Sequence, residues 1–239
     1  MNAPTDNGYI SDYLIHWTGK KGDEHGARVL SIIAETLQLR LSPNHLFLLD
    51  WSHAIHAKMV CFTDVPLCHS KEHCGRYGRF GIAFQKMALM NHGAQPVFYA
   101  SHTCKRDMNT IFRFLQEQMQ SPTLSSEVFK ALQRHFYFIK SFSDGPANSR
   151  DAFYYEREWR LGEQTLATKE DEFRTEREGY PLPYAGELVK NGDEAYFRFE
   201  KEWVAFLVVP QFFQSKINNP HEFQIEPYEN LVTMCEEEK

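Results

Sequence analysis

The chain has 239 residues, a net charge of −6, an apolar share of 42% and 14% aromatic residues. Such a chain is long enough to bury a sizeable core and too rich in Phe and Tyr to be a solvated tail. Its acidic balance offers nucleic acid no bulk attraction, so a nucleic-acid substrate has to be argued from a local site. The five cysteines are odd in number, and the N-terminus lacks the basic-then-apolar pattern of a signal peptide. Together these predict a reduced, cytoplasmic chain. The longest apolar run, residues 203–210, falls well short of the roughly 18 residues a membrane helix needs, so no membrane contact is expected.

In chain order, residues 13–18 predict a short first strand that ends at the turn Gly19-Lys-Lys-Gly22. Val29, Leu30, Ile32, Ile33 and Leu37 fit one helical face, which predicts a helix over 27–39. Residues 44–57 are ambiguous, 58–65 predict a second strand stopped at Pro66, and 67–77 predict a helical turn. Strands are expected at 79–85 and 96–101, with a short helix between them ending near Gly93. Helix is expected over 107–120 and 125–134, broken at Ser121-Pro122, followed by strands at 136–142 and 153–162. Residues 163–194 are highly charged and carry Gly and Pro, which predicts a loop or surface insertion before strand character returns at 194–209. Strands mix with helices without regular βαβ alternation. The expectation is one α+β domain over 1–239, a mixed, split β-sheet flanked by helices.

The run Phe153-Tyr-Tyr-Glu-Arg-Glu-Trp-Arg-Leu-Gly-Glu163 is a poor plain core strand. With a side-chain period of two, Glu156, Glu158 and Arg160 share one face and Arg157 and Trp159 take the other. Carboxylates spaced this way stand roughly 7 Å apart and repel unless a cation, a hydrogen-bond network or a substrate occupies their face. The segment therefore predicts the floor of a site, with Glu158 as the carboxylate that acts. His16-Trp17-Thr18-Gly19 delivers polar groups to a glycine turn, where His16 can bind a hydroxyl and Thr18 with the turn backbone an amide. Asp64 precedes a proline, and Gly78 and Gly81 allow close approach. Cys68-His69 and His73-Cys74 have helical metal spacing, but no second Cys/His pair completes a set. A polar, partly exposed helix is the better reading, and no metal is expected.

Leu14-Ile-His-Trp-Thr-Gly19, Met59-Val-Cys-Phe-Thr-Asp-Val-Pro-Leu67, Tyr77-Gly-Arg-Phe-Gly-Ile-Ala-Phe84 with Lys86, Gly93-Ala-Gln-Pro-Val-Phe-Tyr99 and Tyr155-Glu-Arg-Glu-Trp-Arg160 together resemble the AbiGi family of abortive phage resistance proteins. That resemblance covers most of the chain and implies phage defence. In outline the chain is also similar to the ADP-ribosyltransferase fold, with a His in the first strand, a stacking aromatic in the middle and a late catalytic Glu. His16 with Thr18, one of Tyr77, Phe80 or Tyr99, and Glu158 fall in that order, although the Ser-Thr-Ser element of some branches is absent.

This second resemblance implies an NAD-dependent ADP-ribosyltransferase acting on a nucleic-acid base or a protein side chain. Glu158 would stabilise the ribose cation, Glu156 would help choose the acceptor, and Arg160 or Arg157 would meet the pyrophosphate. His16, Trp17, Thr18 and Gly19 would position the cofactor, and Tyr77 or Phe80 would stack on nicotinamide. The alternative is a non-catalytic antitoxin or phage-sensing partner, with the Glu/Arg strand and residues 163–194 as a charged interface to a cognate protein. A metal-dependent nuclease with Asp64, Glu156 and Glu158 as ligands is the third expectation.

Overall fold

The first strand, β1 (Tyr13–Thr18), has the predicted bounds, and its alternation divides the core in two. Leu14 packs with Phe84 and Leu30 on one face, while Ile15 and Trp17 pack with Ala83, Phe206 and Val208 on the other. The structure, a computed structural model, describes residues 11–47, 54–100, 102–120, 135–141, 156–163 and 187–233, with isolated positions between 121 and 134. No described helix is long and apolar enough to cross a membrane.

Helix α1 (Asp23–Thr36) begins one turn earlier than its apolar pattern, with Asp23 and Glu24 in the first turn where the helix dipole favours them. It ends at Leu37, a left-handed residue (φ 53°) whose N–H donates to the Ile33 carbonyl at 3.0 Å. The predicted helix to residue 39 is therefore cut short. The reason is a change of period: Leu39 and Leu41 are buried while Arg40 between them is exposed, which is strand alternation. Residues Gln38–Arg40 form β2.

β3 (Ser42–Phe47) and β4 (Ala54–Thr63) pair antiparallel and resolve the ambiguous stretch as strand at both ends. A 3₁₀ turn (Leu67–His69) and α2 (Lys71–Tyr77) follow, then β5 (Phe80–Gln85), α3 (Lys86–Asn91), β6 (Gln95–Pro96) and β7 (Phe98–Ala100). Helix α4 (His102–Gln120) leads toward β8 (Ile139–Ser141), which is shorter than predicted. The second helical stretch expected at 125–134 lies largely outside the described residues, as do positions 153–155.

β9 (Glu158–Gly162) carries the charged motif. The predicted insertion at 163–194 is corrected at its far end, where β10 (Glu187–Asn191) forms a hairpin with β11 (Glu194–Arg198). Its turn is Gly192-Asp193, with Gly192 at φ 59°. Residues 164–186 lie outside the described residues. β12 (Val204–Val209), β13 (Ile225–Pro227) and α5 (Tyr228–Thr233) complete the elements.

Among the described residues the main sheet runs β13-β12-β5-β1-β4-β9-β6, with β3 on β4, eight strands in all. It is mixed, because β12 and β13 run parallel while its other pairs run antiparallel. β10-β11-β2 make a second sheet, and β7 pairs parallel with β8. Helix α1 and the second sheet cover one face of the main sheet. Phe62 meets Phe84 edge-on at 5.8 Å, and Phe84 meets Phe199 at 4.9 Å, joining the layers. The architecture is α+β, as expected.

Candidate functional site

The main sheet is complete between β1 and β5, where all six residues of β1 have partners. Between β1 and β4 only Ile15 and Thr63 pair. Continued antiparallel register would bring Trp17 opposite Cys61, but the strands part there, and the His16 ring takes the Cys61 carbonyl with Nδ1 at 2.9 Å. A carbonyl only accepts, so Nδ1 carries the proton. Burial lowers the pKa of His16 and keeps the ring neutral, which leaves Nε2 as an acceptor. Beside the parting lies a cavity of about 240 Å³. Trp17, Cys61 and Thr63 reach it from the strands, His73 and Tyr77 from α2, and Lys140 from β8, opposite Glu156 and Glu158.

The two carboxylates meet at one cation. Lys140 Nζ lies 2.6 Å from Glu156 Oε2 and 2.7 Å from Glu158 Oε2. The other oxygen of Glu158 accepts from Arg160 Nε at 2.8 Å, and Arg160 Nη1 donates to the carbonyls of Tyr137 (2.7 Å) and Ile139 (3.3 Å). The Tyr77 hydroxyl donates to Glu156 Oε1 at 3.0 Å, and Arg76 stands 3.7 Å from the same oxygen. A cation on the shared face was the condition for such a pair. Lys140 meets it.

The route to this arrangement differs from the predicted one. β9 begins at Glu158, so Glu156 is not on the strand, and Arg157 between them is left-handed at φ 42°. A non-glycine residue held there costs of the order of 1–3 kcal/mol. Backbone bonds on both sides hold it: Thr63 Oγ1 donates to the Glu156 carbonyl at 2.7 Å and the Asp64 N–H to the Arg157 carbonyl at 3.1 Å.

Burial alone would raise the pKa of Glu158, but the charges and hydrogen bonds of Arg160 and Lys140 outweigh it and hold the carboxyl at about 2, against an ordinary 4.5. A depressed folded pKa contributes stability that is fully present above the unfolded value and lost as pH falls through the folded one. This single group contributes about 3 kcal/mol at neutral pH. The urea midpoint is therefore expected to hold from pH 7 to 5 and to fall between pH 4.5 and 2. Glu158→Gln should flatten that fall, and an equally steep fall in the variant would contradict the assignment. Burial and then the Glu158 charge push the Cys61 thiol well up, so it stays protonated and is no nucleophile. Burial and Glu156 do the same to the Tyr77 phenol.

Of the residues singled out in the sequence, His16, Trp17, Tyr77, Glu156 and Glu158 line the cavity together. Five are placed elsewhere. Phe80 is fully buried in the main core and stacks edge-on against Phe213 at 5.5 Å, so it offers a ligand no face. Thr18 and Gly19 belong to a backbone crossing: Gly19 (φ 99°) packs on Gly78, where an added Cβ would stand 2.3 Å from the Thr18 carbonyl oxygen. Arg157 stands 3.7 Å from Asp64 rather than at the cavity. Arg160 is 2% exposed and sits behind Glu158, a positioning residue rather than one open to a phosphate.

The metal trio is not assembled either. Asp64 pairs with Lys86 at 2.7 Å and accepts from the Trp159 indole at 3.3 Å, apart from Glu156 and Glu158. Among the described residues no three His, Cys, Asp or Glu side chains converge on a metal position. Trp159 lies on the opposite face of β9 and does not back Glu158. Glu156, Glu158 and Arg160 are buried, so they form no exposed charged interface, and only Arg157 of the motif is part-exposed.

Lys140 is the contributor sequence reasoning did not place, and Tyr99, expected only as a candidate stacking aromatic, enters through its hydroxyl. The Glu158 N–H donates to the Tyr99 hydroxyl at 2.8 Å. The signal for Lys140 was present: it is the single charge inside the apolar run Phe136-Tyr-Phe-Ile-Lys140, where a lysine needs a buried partner.

A family model described as "Putative abortive phage resistance protein AbiGi, antitoxin" matches residues 50–179, just over half of the chain. The matched segment contains β4, α2, Lys140 and the whole carboxylate motif. No curated protein and no solved structure matches the chain.

Proposed function

Because the chain belongs to the AbiGi family of abortive phage resistance proteins, we propose that it is the antitoxin of a phage-defence pair, a non-catalytic protein that binds and restrains a partner toxin. The observation that carries this reading is the family match itself, over the segment that supplies most of the cavity's lining. The electrostatics agree with it. Both oxygens of Glu158 are engaged by Lys140 and Arg160, and its low pKa removes it from proton transfer near neutrality.

The partner surface is proposed on α4 and the strands before it. Among the described residues most of the exposed large apolar side chains fall inside the matched segment, among them Met87 on α3, Phe98, Ile111 and Phe114. Ile111 and Phe114 are three residues apart on α4 and both exposed, on the flank of the side that carries Met108 and Leu115 into the cluster with Phe136. Replacing both, as Ile111→Asp with Phe114→Asp, is expected to weaken binding of the co-encoded toxin at least tenfold in calorimetry. The melting temperature should stay within about 3 °C, because exposed substitutions are usually close to neutral. Wild-type affinity in the double variant would move the interface elsewhere, and no complex with wild type would remove the reading.

A second reading is favoured by one observation, that His16, Tyr77 and Glu158 line one cavity in the chain order of ADP-ribosyltransferases. Under it the fold is of that kind, NAD is the cofactor, and a base or protein side chain is the acceptor. The cavity lies below the roughly 300 Å³ at which pockets enclose drug-sized ligands, so it would take the nicotinamide end and leave the rest outside. Lys140 would have to leave Glu158 first. Mass spectrometry of candidate targets incubated with the chain and NAD tests this, since each transfer adds one ADP-ribose.

A further inference from the structure

We infer that the cavity between β1, α2 and β8 is a binding site for a small, uncharged, hydroxyl-rich ring compound of monosaccharide or nucleoside size. This does not rest on the antitoxin reading, and unlike the transferase reading it requires neither NAD nor bond cleavage.

Charge decides the class by elimination. Glu156 and Glu158 face the cavity and repel an anion, while Lys140 is already seated between them and Arg160 stands behind, so an added cation meets two fixed ones. A neutral ligand meets neither obstacle. The polar inventory then asks mostly for donors. His16 Nε2 is an acceptor, and the carboxylate oxygens keep lone pairs beyond the bonds already described. Hydroxyl groups supply several donors on one small ring.

The second, independent observation is an orphan donor. Trp17 lines the cavity, is 9% exposed, and its indole Nε1–H is buried with no hydrogen-bond partner among the described residues. Buried polar groups are normally paired, so an indole N–H left alone on a cavity-lining side chain gains a bond if the ring shifts to meet a ligand acceptor. Hydroxyl and ring oxygens are such acceptors, so a polyol answers both halves of the inventory. Trp17, Tyr77 and Phe62 add aromatic surface against which a ring can lie. The volume of about 240 Å³ is of the order of one such ring compound.

The test is titration of the full chain with D-ribose, uridine and adenosine, against uridine monophosphate and arginine as anionic and cationic controls. The readouts are melting temperature and the indole N–H resonances of the four tryptophans. The expected result is a rise in melting temperature with at least one neutral probe by about 10 mM, exceeding any rise with the charged controls. One indole resonance should move along with it. A response to ribose alone identifies a sugar site, and a response confined to uridine or adenosine identifies a nucleoside site. Trp17→Phe keeps the ring and removes the N–H, and should lose about tenfold in affinity and the moving resonance. If that variant does not fold, the wild-type resonance titration decides. No neutral probe acting, a charged control acting as strongly, an unmoved indole set, or unchanged affinity in a folded Trp17→Phe would each overturn the inference.

Discussion

Arg160→Met is expected to lower the stability of the chain by about 3–5 kcal/mol, the usual consequence of removing one partner from a buried ion pair. For a chain of this size that corresponds to a fall of roughly 6–20 °C in melting temperature. The size of the effect follows from what Arg160 holds. Its side chain is almost wholly buried, bonds Glu158 at 2.8 Å, and donates to the Tyr137 and Ile139 carbonyls. Methionine fills much of the volume but leaves a carboxylate with half its partners and two buried carbonyls without a charged donor. The companion variant separates charge from packing. Arg160→Met with Glu158→Gln removes the stranded charge and should recover part of the loss, and a double variant as unstable as the sum of the singles would show the two residues to be uncoupled. A melting temperature within about 2 °C of wild type for Arg160→Met would mean that the network contributes nothing, a clear departure from the behaviour of buried pairs.

Gly78→Ala is expected to be nearly as damaging, at about 3 kcal/mol or more, for a backbone reason. Gly78 follows the last residue of α2 at φ 103° and ψ 170°, a region almost closed to side chains. Its Cβ would lie 2.3 Å from the Thr18 carbonyl oxygen and 2.4 Å from the Gly19 carbonyl carbon, main-chain atoms that cannot rotate away. Relief requires moving the end of α2 off β1, and α2 carries His73 and Tyr77 to the cavity. Gly75→Ala, three residues earlier within the same helix, is the control. Nothing lies within 4 Å of its added Cβ, and the substitution should stabilise by roughly 0.5–1 kcal/mol through helix propensity. Urea melts of the two variants should therefore move in opposite directions. A shared direction would contradict the close crossing at Gly19 and Gly78.

The legible parts of this chain were those decided by neighbours in sequence. β1 was readable to the residue because alternation over Tyr13–Thr18 meets a turn with two glycines. The carboxylate pair was readable because like charges on a pleated surface demand an explanation. The hairpin at Gly192-Asp193 was readable too, as Gly-Asp is a two-residue hairpin signal, but the surrounding charge hid it inside an expected loop. What escaped was set by long-range choices. Period alone puts Phe80 on one face of β5 and does not say that this face is core rather than cavity. Likewise, the switch from helix to strand at Leu37 depends on β11 arriving 150-odd residues later to pair with β2. Lys140 joins Glu158 from a separate small sheet, so no local pattern links them.

Membership in a phage-defence family and a carboxylate cluster closed by its own lysine both favour restraint over chemistry. The most direct test is viability of cells expressing the partner toxin proposed above, with and without this chain, beside cells expressing this chain alone. An antitoxin should leave growth unchanged alone and restore colony counts at least tenfold when the toxin is present. Arrest by the chain alone, relieved by Glu158→Gln, would contradict it and make this chain the effector.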